Sequence, residues 1–81
     1  MGTDSQSGLT FEEHRELSRE LGGTQRRLEE FASMANAVYG SESRTAIAFV
    51  EAAEAVGRLR YHLQFQAADD CPGQRADDLY R

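Results

Sequence analysis

The chain has 81 residues and a formal net charge of −5 at pH 7. A chain of this length forms one small domain, which buries only about 60% of the surface that its unfolded chain exposes, so self-association is expected. The acidic balance opposes nonspecific binding to nucleic acid or to an anionic membrane, because both depend on a basic surface.

The cysteine content and the absence of long apolar runs bear on the compartment. The single cysteine, Cys71, cannot form an intrachain disulfide, so a reducing compartment is expected. No segment approaches the roughly 18 uncharged apolar residues that span a bilayer, and residues 1–8 lack the basic and apolar regions of a signal peptide. All nine basic residues are arginine, which favours a GC-rich bacterial gene. We therefore expect a soluble cytoplasmic protein.

The N-terminal segment, residues 1–9, is rich in Gly, Ser, Thr and Asp and is expected to be disordered. The residues that follow, Thr10-Phe11-Glu12-Glu13, fit a capping box. In this motif the Thr10 hydroxyl accepts from the backbone N–H of Glu13, and the Glu13 carboxylate accepts from that of Thr10. A helix is therefore predicted to begin at about residue 10.

The first helix is predicted from about residue 10 to residue 39, because apolar and seam-forming residues recur at steps of three and four. The residues at these steps are Thr10, His14, Leu17, Leu21, Thr24, Leu28, Phe31, Ala35 and Val38. The pattern keeps its phase across Gly22-Gly23, so we expect one helix with a soft point there, although each glycine costs roughly 1 kcal/mol relative to alanine. The alternative is a break in which Thr24 is a new N-cap.

A tight turn at residues 40–42 is predicted to join this helix to a second one. Gly40 suits the C′ position of the first helix, and serines on either side of Glu42 suit an N-cap. The second helix is predicted from about residue 42 to residue 67, with its own apolar pattern. That pattern consists of Phe49, Ala52, Val56, Leu59 and Leu63. It is lost before Pro72, so residues 69–81 are predicted to form a flexible acidic tail.

The predicted fold class is all-α, a two-helix antiparallel hairpin that spans residues 10–68. The first half of the second helix is apolar nearly all round, and one partner helix cannot cover such a surface. We therefore expect a homodimer in which a two-fold axis pairs two hairpins into a four-helix bundle. The residues predicted at the interface are Leu17, Leu21, Leu28, Phe31, Val38, Ile47, Phe49, Val50, Ala53, Val56, Leu59 and Leu63.

No residue pattern predicts a catalytic centre, a cofactor or a metal site. Di-iron carboxylate bundles need a Glu-x-x-His pair on a helix, and here His62 lies eight residues beyond Glu54. The short arginine pairs lack a recognition helix or an aromatic platform for nucleic acid. His14 is predicted to be a partly buried, hydrogen-bonded residue that sets the register, and His62 a cation near the C-terminus of the second helix. Cys71 is expected to have no special role.

The function predicted from these features is that of a small acidic protein-interaction module, such as an adaptor, an inhibitor or an accessory subunit. It would act through self-association and the binding of a protein partner. The alternative is a small-molecule-binding or enzyme-like bundle with a pocket between protomers near His14, Tyr61 and His62. A continuously packed core favours the first function, whereas a cavity lined by both histidines favours the second.

Overall fold

The computed structural model describes residues 8–80, apart from the side chain of Asp77. Helix α1 spans Phe11–Tyr39, helix α2 spans Arg44–Asp70, and a 3-10 helix follows at Ala76–Asp78. The two long helices pack against each other, and no strand is present between residues 8 and 80. The predicted all-α helical hairpin is therefore confirmed. The predicted disorder of residues 1–7 and of residue 81 lies outside the described residues.

Helix α1 begins with the capping box that the sequence predicts. The backbone N–H of Glu13 donates to the Thr10 hydroxyl at 3.1 Å, and the backbone N–H of Thr10 donates to the Glu13 carboxylate at 2.9 Å. Both N–H groups belong to the helix end, where no intrahelical acceptor exists. The carboxylates of Glu12 and Glu13 also lie at the positive end of the helix dipole.

The turn between the helices depends on Gly40. Its φ of 91° lies in a region that residues with a Cβ atom rarely adopt, and its N–H donates to the carbonyl of Asn36 at 3.0 Å. Helix α2 then begins at Arg44, where the Ser43 hydroxyl accepts from the backbone N–H of Ala46 at 3.0 Å. The sequence predicts a start at about residue 42, so α2 begins two residues later than predicted.

The seam between α1 and α2, near the turn, is built from alanine. Ala32 and Ala35 of α1, together with Ala46 and Ala53 of α2, are buried where the two helices pack. A methyl group fills little space, so the helix axes can approach closely. Larger apolar side chains then lie at the edges of the seam or outside it.

A polar pair crosses the seam near its middle. Arg60 Nη1 donates to Gln25 Oε1 at 2.7 Å. A Cβ atom at Gly57 would lie 3.0 Å from Gln25 Nε2, and one at Gly22 would lie 3.7 Å from Arg60 Nη2. Each helix therefore has a glycine opposite the long polar side chain of the other helix, and this match fixes their register.

Helix α1 continues without interruption through Gly22-Gly23. Thr24 does not cap a new helix, because its hydroxyl donates back to the carbonyl of Glu20 at 2.9 Å. The alternative of a break at Thr24 is therefore wrong. A Cβ atom at Gly23 would have no neighbour within 4 Å, so this glycine is not required by packing.

The C-terminal residues differ from the flexible tail predicted to begin at residue 69. Helix α2 continues to Asp70, and the chain then folds back so that Cys71, Ala76 and Tyr80 are buried with Ala67. Partly buried apolar residues surround this cluster: Phe11, Leu21, Leu63 and Leu79. The segment is polar overall, but Cys71, Ala76, Leu79 and Tyr80 pack against the end of the hairpin.

Gly23→Ala is expected to raise the free energy of unfolding by about 1 kcal/mol, because the glycine is helical and its Cβ position is open. Gly57→Ala is expected to gain less, or to destabilise, because the new methyl group displaces the Gln25 amide that accepts from Arg60. Urea unfolding followed by circular dichroism compares the two variants. A larger gain for Gly57→Ala would contradict the matched packing of Gly57 and Gln25.

Candidate functional site

Three side chains from distant parts of the chain form a hydrogen-bonded chain at the open end of the hairpin. His14, in the first turns of α1, has an exposed fraction of 0%. Its Nε2 lies 2.8 Å from Asp70 Oδ2 at the end of α2, and its Nδ1 lies 2.9 Å from the Tyr80 hydroxyl. We refer to His14, Asp70 and Tyr80 as the clasp, because together they join both helices to the C-terminal segment.

The positions of the protons in the clasp follow from the chemistry of its members. The ionised Asp70 carboxylate can only accept, so the His14 Nε2 carries a hydrogen and donates to it. In the neutral imidazole, Nδ1 is then an acceptor, and the Tyr80 hydroxyl donates to it. The rings of His14 and Tyr80 also meet edge to face, with centroids 5.8 Å apart. Both ring nitrogens of the buried histidine are therefore satisfied.

Asp70 is the acceptor that several segments share. Its carboxylate also accepts from the Gln66 side-chain amide at 2.9 Å and from the Leu9 backbone N–H at 3.1 Å. The hydrogen bond from His14, followed by that from Gln66, lowers the pKa of Asp70 below its ordinary value of 3.8. Asp70 therefore stabilises the fold above that pH, and this contribution is lost as the pH falls through the lowered pKa.

The N-terminal end of the described chain lies against the same carboxylate. A methyl group added at Gly8 would overlap the Asp70 side chain, so a larger residue there would force the carboxylate to move. The thiol of Cys71 lies 3.7 Å from the carbonyl of Leu9 and donates to it. Residues 8 and 9 are therefore held at the clasp, whereas the sequence predicts disorder for them.

Tyr80 is the least predictable member of the clasp. Its burial raises its pKa above the ordinary value of 10.0, and the negative charge of Asp70 raises it further. An aspartate, a histidine and a hydroxyl group that are hydrogen-bonded in this order resemble the relay of some catalytic sites. The three side chains of the clasp are, however, at most 6% exposed. Within the described residues the clasp is therefore enclosed, and its hydrogen bonds join three segments of the fold.

The residues of the alternative ligand pocket do not come together within one chain. Tyr61 and His62 are exposed on α2, where they line a groove with Glu54, Gly57 and Arg58. His14 is not part of this groove, because its ring is enclosed by the clasp. The prediction that His62 lies near the C-terminus of the second helix is wrong, since α2 continues for eight residues to Asp70.

The residues predicted at an interface fall into three groups by exposure. Ala53 is buried in the seam. The half-buried residues of the set are Leu17, Leu21, Leu28, Phe31, Phe49, Val56 and Leu63. The exposed residues of the set are Val38, Ile47, Val50 and Leu59. The described hairpin therefore leaves part of the predicted interface in contact with solvent.

One side of the hairpin near the turn is lined by uncharged and mostly apolar side chains. Two grooves of about 330 Å³ and 150 Å³ adjoin there and share Phe49. We refer to their lining as the apolar face: Leu28, Phe31, Met34, Ala35, Val38, Tyr39, Thr45, Ala48, Phe49 and Ala52. No member is charged, and the exposed fractions of Met34 and Val38 are 59% and 67%.

A different groove lies on the other side of the seam. It has a volume of about 260 Å³ and we refer to it as the acidic groove. Its lining is Gln25, Glu29, Ala32, Val50, Ala53 and Glu54. Neighbouring residues on a helix point about 100° apart, so Val50 lies here although Phe49 lies on the apolar face. The two sides of the hairpin thus differ in charge.

Within residues 8–80, no group of three or more His, Cys, Asp or Glu side chains is placed to hold a metal ion. No helix in this part of the chain is long and apolar enough to cross a membrane. Comparison of the chain with protein-family models, with curated proteins and with solved structures finds no match. The function is therefore argued from the geometry of the described residues.

Tyr80→Phe is expected to lower the free energy of unfolding by about 1–3 kcal/mol, because the buried Nδ1 of His14 loses its partner. Tyr61→Phe is the matched control, since Tyr61 is exposed and lies outside the apolar face, and it should change stability by less than about 0.5 kcal/mol. Urea unfolding at neutral pH measures both. Equal effects of the two substitutions would contradict a role for the Tyr80 hydroxyl.

The difference in stability between the wild type and Tyr80→Phe is predicted to depend on pH. The raised pKa of Tyr80 means that its contribution to stability is fully present below pH 10.0 and is lost as the pH rises through the folded value. The stability difference between the wild type and Tyr80→Phe should therefore shrink in alkaline solution.

Proposed function

We propose that the chain is a small acidic protein-interaction module, an adaptor, inhibitor or accessory subunit, that self-associates through its apolar face. In this proposal two hairpins pack into a four-helix bundle. The observation that supports it is the division of apolar residues: the seam near the turn is filled by alanine, whereas large side chains such as Met34 and Val38 remain exposed.

The energetic argument for self-association rests on these exposed side chains. Removing one large apolar side chain from water contributes about 1.5–3 kcal/mol. The total stability of a small domain is usually about 5–15 kcal/mol, so an uncovered face made of several such residues is a large loss. Contiguous exposed apolar surface on a small protein typically marks a site of interaction.

The composition of the apolar face suits a second copy of the same face. Its members come from both helices, and none carries a charge, so a two-fold axis opposes no like charges among the members themselves. The guanidinium of Arg27 lies over the Phe31 ring, 5.0 Å from its centroid, at the edge of the face. Ala48 and Ala52 leave room beside Phe49 for a large side chain from the second hairpin. An interface of this kind buries the same patch twice.

The proposal uses only part of the interface predicted from the sequence. Leu28, Phe31, Val38 and Phe49 lie on the apolar face. Val50 instead lies between Glu29 and Glu54. A two-fold axis through Val50 would bring four carboxylates together, and like charges in an interface are unfavourable.

Ala48→Glu is expected to yield a folded monomer, because it places a charge in the middle of the apolar face. Ala68→Glu is the matched control: both alanines are exposed residues of α2, but Ala68 lies near the other end of the helix and lines neither groove of the apolar face. Light scattering coupled to size exclusion gives the mass, and circular dichroism checks the helix content. The wild type and Ala68→Glu should have twice the mass of the chain.

Two results would contradict the proposal. One is a wild-type protein that is monomeric at micromolar concentration. The other is an Ala48→Glu protein that keeps the mass of the wild type, since a buried unpaired carboxylate is too costly to be accommodated.

A further inference from the structure

The acidic groove has the layout of a binding surface but the wrong charge for a second copy. The side chains of Ala32 and Ala53 form its nearly buried floor, and Val50 is 38% exposed beside them. Glu29 on α1 and Glu54 on α2 stand on its opposite walls. An apolar centre with a charged rim is the usual anatomy of a protein interface.

Within residues 8–80, three acidic residues of α1 form ion pairs with a neighbouring arginine, whereas the two carboxylates of this groove do not. Glu12, Glu16 and Glu30 each lie within 4 Å of an arginine one turn away, at 2.8, 2.6 and 3.7 Å. In the described part of the chain, no such arginine lies within ion-pair distance of Glu29 or Glu54. The groove therefore presents two carboxylates whose charge the hairpin itself does not neutralise.

An aromatic ring extends the groove along α2. Glu54 also borders the neighbouring groove, in which the side chain of Tyr61 is 60% exposed. Arg58 lies one turn after Glu54 but is not within ion-pair distance of it. Carboxylates bind guanidinium and ammonium groups directly, and the face of an aromatic ring attracts the same cations.

The charge of the groove selects between its two candidate occupants. A second copy placed by a two-fold axis would oppose Glu29 and Glu54 to the same residues of its partner, which is unfavourable. The net charge of −5 also attracts a basic partner at long range. A cationic partner therefore suits this groove better than a second copy does.

We propose that the acidic groove binds a basic amphipathic helix of a protein partner. Apolar residues of that helix pack on Ala32, Val50 and Ala53, and its arginine or lysine side chains bind Glu29 and Glu54. This inference rests on the proposed function as an interaction module, but it uses the surface that self-association leaves free.

The test measures the binding of a synthetic probe by fluorescence anisotropy at low ionic strength. The probe is a labelled peptide of leucine, alanine and arginine, about 15 residues long, which is enough for an amphipathic helix. Glu29→Gln combined with Glu54→Gln should weaken binding about tenfold, since each exposed ion pair contributes modestly. The control combines Glu42→Gln with Glu51→Gln.

The control makes the same change in net charge outside the groove, because Glu42 lies in the turn and Glu51 on the exposed side of α2. It should leave the affinity within about twofold of the wild type. Equal weakening by both double variants, or no binding of the peptide by the wild type, would overturn the inference. A change of mass in the Glu29→Gln, Glu54→Gln variant would also overturn it, because the groove would then hold a second copy.

The Ala48→Glu variant separates this inference from the proposed self-association. If the variant is monomeric and binds the peptide as the wild type does, both proposals are supported. If it keeps the mass of the wild type but the groove variants still lose the peptide, self-association through the apolar face fails and the inference stands.

Discussion

The rest of the structure depends on the alanine contact between the two helices. Ala32, Ala35, Ala46 and Ala53 fill the seam near the turn with methyl groups, which lets α1 and α2 pack closely. A close contact has little volume, so it cannot also enclose the large apolar side chains of both helices. Those side chains lie at the edges of the seam and form the apolar face. The composition of the seam thus explains why large apolar side chains of the hairpin remain exposed.

At the open end of the hairpin, the apolar side chains are covered by the C-terminal segment of the same chain. Tyr80 in this segment is held by its hydrogen bond to the buried ring of His14. Asp70 holds that ring from the other side. The two ends of the molecule therefore differ: the clasp closes one end with residues of the chain itself, whereas large apolar side chains such as Met34 and Val38 stay exposed at the turn end.

The helices were predictable from the sequence because their signals are local. The apolar period, the capping box at Thr10 and the glycine at position 40 each involve residues within a few positions of one another. The docked tail was not predictable in this way. His14 and Tyr80 are 66 positions apart, and a single tyrosine in a polar segment does not differ from one in a disordered tail. The available signal for the docked tail was His14, because a histidine buried within an apolar pattern needs hydrogen-bond partners.

The candidate interface was predictable only in part, for a geometric reason. The sequence shows that α2 is apolar on several sides, but which side carries uncompensated charge depends on how α1 packs beside it. Phe49 and Val50 are adjacent in sequence, yet one lies on the apolar face and the other lies between two carboxylates. Which of the two residues lies on which side depends on the register of the helices, which Gln25 and Arg60 fix across the seam.

The most direct test of the proposed self-association through the apolar face is the solvent accessibility of the Met34 methyl group, measured by NMR with a soluble paramagnetic chelate. The account predicts that relaxation enhancement at Met34 falls as the protein concentration rises, while that at the exposed Ala68 methyl group, which lies outside the apolar face, stays constant. Enhancement at Met34 that is independent of concentration and as strong as at Ala68 would contradict the account.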